Sequence, residues 1–180
     1  MNAQTLRLLF TLTFALTPLA NAAVVDSSAT SLQVKHTFTV AAKPDKVWQS
    51  LLHIEKWWSS AHTFSGSTSN LRLEAKPGGC FCETLPDGGG VLHMTVVHVR
   101  PNAQLTLAGA LGPLQTSGAT GAMTFQIAPA ATGSTVTLVY NIGGYFSGGL
   151  SSIAAPVDMV LGEQVERLHR YIETGNADEP

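Results

Sequence analysis

From Val34 to Val40 the chain alternates: Val34, His36, Phe38 and Val40 are separated by Lys35, Thr37 and Thr39. A period of two with one apolar and one polar face predicts a half-buried strand. Lys43-Pro44-Asp45 breaks that pattern. PDKVWQSLL follows with Pro and Asp in its first turn, the chemistry of a helix N-terminus, and with Val47, Trp48, Leu51 and Leu52 on one side. A second short helical piece, HIEKWWSS, carries Trp57 and Trp58. Beyond the Ser/Gly-rich SGSTSN loop the period returns to two. Strands are predicted at 71–76, at GCFCETL and VLHMTVVHVR on either side of the PDGGG turn, and at AQLTLAG, GAMTFQIA and STVTLVYNI. The last segment changes period again. Pro156 starts it, Val157, Val160, Leu161, Val165, Leu168 and Ile172 recur three and four residues apart, and Gly175 stops it. A helix with so wide an apolar stripe must lie on something, and the apolar face of the sheet is the available partner.

Strand, two short helices, six strands and a long helix define an α+β architecture: a seven-stranded antiparallel curved sheet around a long C-terminal helix. The chain resembles the SRPBCC superfamily of helix-grip domains, which includes START lipid-transfer domains, birch-pollen allergens, polyketide cyclases and homologues of a heat-shock-protein ATPase activator. FTVAAKPDKVWQSL is similar to the family's opening, a strand running into a proline-led helix with a tryptophan. GGCFCE, ALGPLQTSGATGAMTF and GGYFSGGLSSIAAPVDMVLGEQ resemble an exported bacterial branch without an assigned activity. The resemblance implies a cavity between sheet and helix for an apolar or amphipathic ligand.

The N-terminus changes the picture of where this happens. Arg7 precedes the apolar run LLFTLTFALTPLA, which ends in Ala20-Asn21-Ala22, the small-residue site of a secretory signal peptide. The run is about 13 residues, short of the ~20 that span a bilayer. The expected organisation is a signal peptide over 1–22 with cleavage after Ala22, a flexible leader over 23–33, a helix-grip domain over 34–175 and a tail over 176–180. The product is then periplasmic or secreted, with no stable membrane span. Without Arg7 the chain holds nine basic and twelve acidic residues. No basic run is present to neutralise phosphates, which argues against nucleic acid. No dinucleotide fingerprint, phosphate loop or H-E-x-x-H spacing occurs, so no cofactor or metal is expected.

Candidate chemistry is therefore confined to the inward faces. The residues expected to line a ligand cavity are Phe38, Leu73, Cys80, Cys82, Met94, Leu107, Met123, Phe125, Tyr140 and Leu161. The expected function is binding or carriage of a small hydrophobic or amphipathic molecule. The alternative is an enzyme of the cyclase, dehydratase or hydrolase kind, with His98, His36 and Tyr140 as acid-base candidates. Centring the PDGGG turn on Gly88 pairs Cys82 with Met94, Cys80 with Val96 and Glu83 with His93. The cysteines then face inward, while Glu83 and His93 form an outward ion pair. For Cys80 and Cys82 three readings stay open: a disulfide, a soft-metal site with Met94, or small apolar wall residues. Residues two apart on a strand have Cα atoms about 6.5–7 Å apart, at the limit for an S–S bond, which favours the wall. GGYFSGGL, with Tyr145, Phe146 and Leu150, reads equally as a hinge at the cavity mouth or as a connector.

Overall fold

The computed structural model describes residues 23–178. The expected signal peptide and its cleavage point lie outside the described residues. Strand β1 (Ala23–Ser27) leads into β2 (Ser31–Val40), then helices α1 (Pro44–Leu52) and α2 (Ile54–Trp57). Strands β3 (Leu71–Leu73), β4 (Cys80–Thr84), β5 (Gly90–Arg100), β6 (Gln104–Gly109), β7 (Gly118–Ala130) and β8 (Gly133–Tyr145) follow, and α3 (Ala154–Thr174) closes the domain. All pairings are antiparallel in the order β1-β2-β8-β7-β6-β5-β4-β3, one curved eight-stranded sheet against which α3 lies. This is the helix-grip arrangement.

The sheet has eight strands rather than the expected seven, because residues 23–33 are not a loose leader. β1 pairs with β2 through Val24↔Val34 and Ser27↔Leu32, with an irregularity between Val24 and Asp26, and β2 itself begins at Ser31. Leu32 is buried and Val24 half-buried, but the Ser, Thr and Asp around them hide the alternation. The C-terminal tail is similarly engaged: Ala177 is buried, its carbonyl accepts from Arg170 Nε (2.9 Å), and Asp178 accepts from Arg167 Nη1 (2.7 Å).

Sheet and helix meet as their periodicities require. β2 and β8 run in full register from Ser31↔Gly143 to Val40↔Ser134, which aligns Val34 with Tyr140 and Phe38 with Val136. Leu161, Val165, Leu168 and Ile172 of α3 are buried against that face, each contributing about 1.5–3 kcal/mol of apolar transfer free energy. Gln164 is buried in the same stripe. Its Oε1 accepts from the Ser59 amide (2.7 Å) while Arg167 Nε donates to the Trp57 carbonyl (2.9 Å), so polar groups fasten the end of α2 to α3.

Candidate functional site

The β4–β5 hairpin decides which side chains reach the interior. Pairing runs Thr84↔Gly90, Glu83↔Val91, Cys82↔Leu92, then Phe81↔Met94 and Cys80↔Thr95. His93 is the extra residue, a β-bulge that places His93 and Met94 consecutively on the inner side; both are buried. A one-residue insertion exchanges the faces that two strands share. Phe81 and Glu83 therefore point in, and Cys80 and Cys82 point out, which corrects the expected inward cysteines and outward Glu83–His93 pair. On the outer face Cys80 and Cys82 form a disulfide with Cα atoms 5.4 Å apart, closer than a regular strand allows, because the irregularity lies between Phe81 and Cys82. The free wall thiols and the soft-metal reading both give way to that bond. Gly109 of β6 makes the bulge possible: its φ is +141°, and a Cβ there would stand 3.1 Å from the His93 carbonyl oxygen.

Glu83 is 1% exposed and fully engaged. It accepts from the backbone amides of Phe64 (3.1 Å) and Ser65 and contacts His93 Nε2 at 3.0 Å. Burial pushes its carboxyl up, but hydrogen bonds from Ser65, Phe64 and His93 outweigh burial and hold it below the usual carboxylate range. His93 is held low by its own burial, against the opposing pull of Glu83. The pair is therefore a carboxylate and a neutral imidazole. Since the carboxylate only accepts, Nε2 carries the proton and donates, leaving Nδ1 as an acceptor. Phe81 stacks on the His93 ring with centroids 4.6 Å apart, and Trp58 meets Phe81 edge-on at 5.2 Å.

Trp58 and His93, with Glu83 and Phe81 behind them, border a cavity of about 360 Å³ at one end of the space between sheet and α3. Trp58, His93 and Tyr140 contribute rings to its wall. Leu111, Leu114, Ile153, Val157, Val160 and Leu161 contribute aliphatic surface, and His62, Thr63, Phe64, Gly112, Pro113 and Pro156 complete it. The volume is in the range of small-molecule sites, which are mostly apolar with few placed polar groups. Tyr140 Oη accepts from the Leu111 amide (3.0 Å), and burial pushes its phenol up, so it keeps its proton as a donor. At the rim His62 Nε2 lies 3.0 Å from Glu163 Oε2. Burial raises the Glu163 carboxyl, but Ser59, His62 and the Arg167 charge hold it low overall.

Of the residues expected at a cavity, Tyr140 and Leu161 line this one. Met94, Leu107, Met123 and Phe125 are buried in the packed core without reaching it. Phe38 is half-buried with its ring tilted against His169 at 4.8 Å, and Leu73 is half-buried on the short edge strand β3. His98 stands exposed beside a second irregularity of β5, where its Nδ1 accepts from Gln104 Nε2 (3.3 Å). His36 is buried against α3, its Nε2 3.0 Å from Asp158 Oδ1 without hydrogen-bond alignment, and its ring packs where Gly162 leaves room. Neither histidine borders the cavity. Tyr145 is exposed and Leu150 fully buried outside the lining; no residue of the Gly-rich segment lines the cavity, and the nearest lining residue along the chain is Ile153. The residues missed by sequence reasoning are His93 and Glu83 as an inward pair and the 62–64 and 111–114 segments.

Comparison with known proteins places the fold. Solved structures with the same fold include a conserved protein of unknown function, EF2215, from Enterococcus faecalis (15% identity, 89% of this chain and 80% of that one, TM-score 0.59). The Aha1 dimer from Colwellia psychrerythraea matches at 18% identity over 79% of this chain and 97% of that one, TM-score 0.57. CalU16 from Micromonospora echinospora matches at 11% identity over 81% and 78%, TM-score 0.54. At such identities the likeness concerns the fold alone. No curated protein matches the chain. The family model for polyketide cyclase / dehydrase and lipid transport matches residues 31–173, from β2 to the end of α3, and the chain belongs to that family.

Proposed function

We propose that the domain binds and carries a small, mostly apolar molecule in the cavity between the sheet and α3, outside the cytoplasm. The observation that carries this reading is the cavity itself: about 360 Å³, walled by aliphatic and aromatic side chains, in a domain whose family covers lipid transport as well as cyclase and dehydrase chemistry. A closed core would have filled that space, since protein interiors pack to the density of organic crystals. Export is supported by the apolar N-terminal run ending in Ala20-Asn21-Ala22 and by the Cys80–Cys82 disulfide, a bond that persists in oxidising compartments. No helix among the described residues is long and apolar enough to cross a membrane.

A second reading, catalysis in the same cavity, is favoured by one observation. The Glu83–His93 pair has the form of an oriented general base, and Tyr140 supplies a donor beside the same space. The reaction class would be proton abstraction from a carbonyl compound followed by cyclisation or loss of water. The test is extraction of the protein from its native host and mass spectrometry of what it carries. One stoichiometric apolar compound, released unchanged, supports carriage. Conversion of that compound on incubation supports the enzyme, and a protein that is empty and binds no apolar dye overturns both.

A further inference from the structure

Within the cavity the polar groups are unequal, and this inequality narrows the ligand. His93 is 6% exposed and lines the cavity, with Nε2 committed to Glu83. No described residue hydrogen-bonds its Nδ1. The atom is not among the sealed-off unpartnered polar atoms, so it is open to the cavity, and a molecule that supplies a donor there completes its hydrogen bonding. The ring is not free to turn away. Glu83 pins one edge, the Phe81 ring stacks on its face at 4.6 Å, and the Phe64 ring sits 5.9 Å away on the solvent side.

We infer that His93 Nδ1 is the specificity-determining group of this cavity, and that the ligand is a neutral apolar molecule bearing a weakly acidic hydroxyl, a phenol or enol. This rests on the reading of the cavity as a ligand site. The Glu83 carboxylate behind the ring strengthens Nδ1 as an acceptor by drawing on the Nε2 proton. It also places a fixed negative charge beyond the imidazole, and Glu163 adds another at the rim. A carboxylic acid entering as its anion meets both charges and loses its hydration, whereas a neutral hydroxyl meets neither penalty. Where the ligand's proton passes fully to the protein, the O–H bond breaks, the Nδ1–H bond forms, and the electron pair stays on the ligand oxygen. The resulting imidazolium is held against Glu83. Tyr140 remains a donor for a second oxygen on the same skeleton.

The test uses purified mature protein and three probes of one skeleton: 1-naphthol, 1-methoxynaphthalene and 1-naphthoate, titrated at pH 7.5 by calorimetry. The expected order is 1-naphthol tighter than its methyl ether by tenfold or more, with 1-naphthoate weakest. His93→Phe keeps the stack on Phe81 and removes the acceptor. It should bind the ether as before and lose the preference for naphthol. With histidine-labelled wild type, naphthol should move the His93 Nδ1 nitrogen resonance, and the ether should not. Equal affinity for naphthol and ether in the wild type, or a preference that survives in folded His93→Phe, overturns the inference and leaves the cavity reading standing. Binding of none of the three overturns the cavity reading itself.

Discussion

The space between sheet and α3 has two ends built from the same elements, one solid and one hollow. At the solid end Val165, Leu168 and Ile172 are buried with Val136 and Leu138 behind them, and Trp57 meets Phe125 edge-on at 6.3 Å. At the hollow end Val157 and Val160 are only half-buried, and their neighbours are Tyr140, Leu111 and His93 around open volume. β2, β7 and β8 pair through both ends without an irregularity. The difference arises from what approaches: α1 and α2 bring Trp48, Leu51 and Trp57 to one end, whereas the other receives a bulged strand and two loops. Alternation along a strand says which side is inside. It does not say whether the inside is full.

The largest effect separating the ends should come from the solid one. Leu168→Ala should destabilise by about 2–5 kcal/mol in chemical denaturation, because its truncation leaves a cavity that rigid neighbours cannot close. It should leave 1-naphthol affinity within twofold while the protein is folded. Next comes acid. His93 is held low by burial, so the native state binds fewer protons than the unfolded chain below about pH 6.5, the ordinary histidine value. Its stabilisation is complete above that pH and is lost as pH falls toward the lower folded value. Glu83 is also held low, and its contribution is lost as pH falls from about 4.5 through the folded value. Denaturation midpoints should drop from pH 7 to pH 5.5 in the wild type and less in His93→Phe. A midpoint that rises over that range would mean a protonated His93.

Filling the hollow end should change stability little and function greatly. Val157→Trp occupies the open volume, with a stability change under about 1 kcal/mol and a loss of naphthol affinity beyond tenfold. Retained affinity would move the site elsewhere. The smallest effect belongs to the outer side of α3: Glu166→Ala, exposed and only 4.0 Å from Arg170, should stay within about 0.5 kcal/mol.

The solid end was legible because its residues obey one period each. Val34 and Val40 on β2, the β8 alternation and the α3 stripe required no long-range knowledge, and Gly175 stops α3 where expected, at φ +83°. The hollow end resisted for identifiable reasons. VLHMTVVHVR alternates well enough to conceal an inserted residue; uninterrupted alternation puts His93 on the outer face, and the faces expected for Cys80, Cys82 and Glu83 follow from it. Glu83 finds its backbone donors at Phe64 and Ser65, in a polar loop that carries no period. Burial of Ala177 and the pairing of β1 depend on one or two apolar contacts amid small polar residues, too few to register as a pattern.

One lip of the cavity is the loop that carries Phe64 and Ser65, and its amides hold the Glu83 carboxylate. Raising that lip breaks both bonds and leaves a charge short of partners in a dry wall, a penalty of about 1–3 kcal/mol or more for a charged group. On the proposed carrier reading, escape of a ligand past Phe64 is an activated event whose barrier is set by these bonds rather than by the fit of the apolar wall. Residence time and equilibrium affinity become separate properties: Ser65→Pro, which removes one clasping amide, should speed release and association together and leave their ratio nearly unchanged.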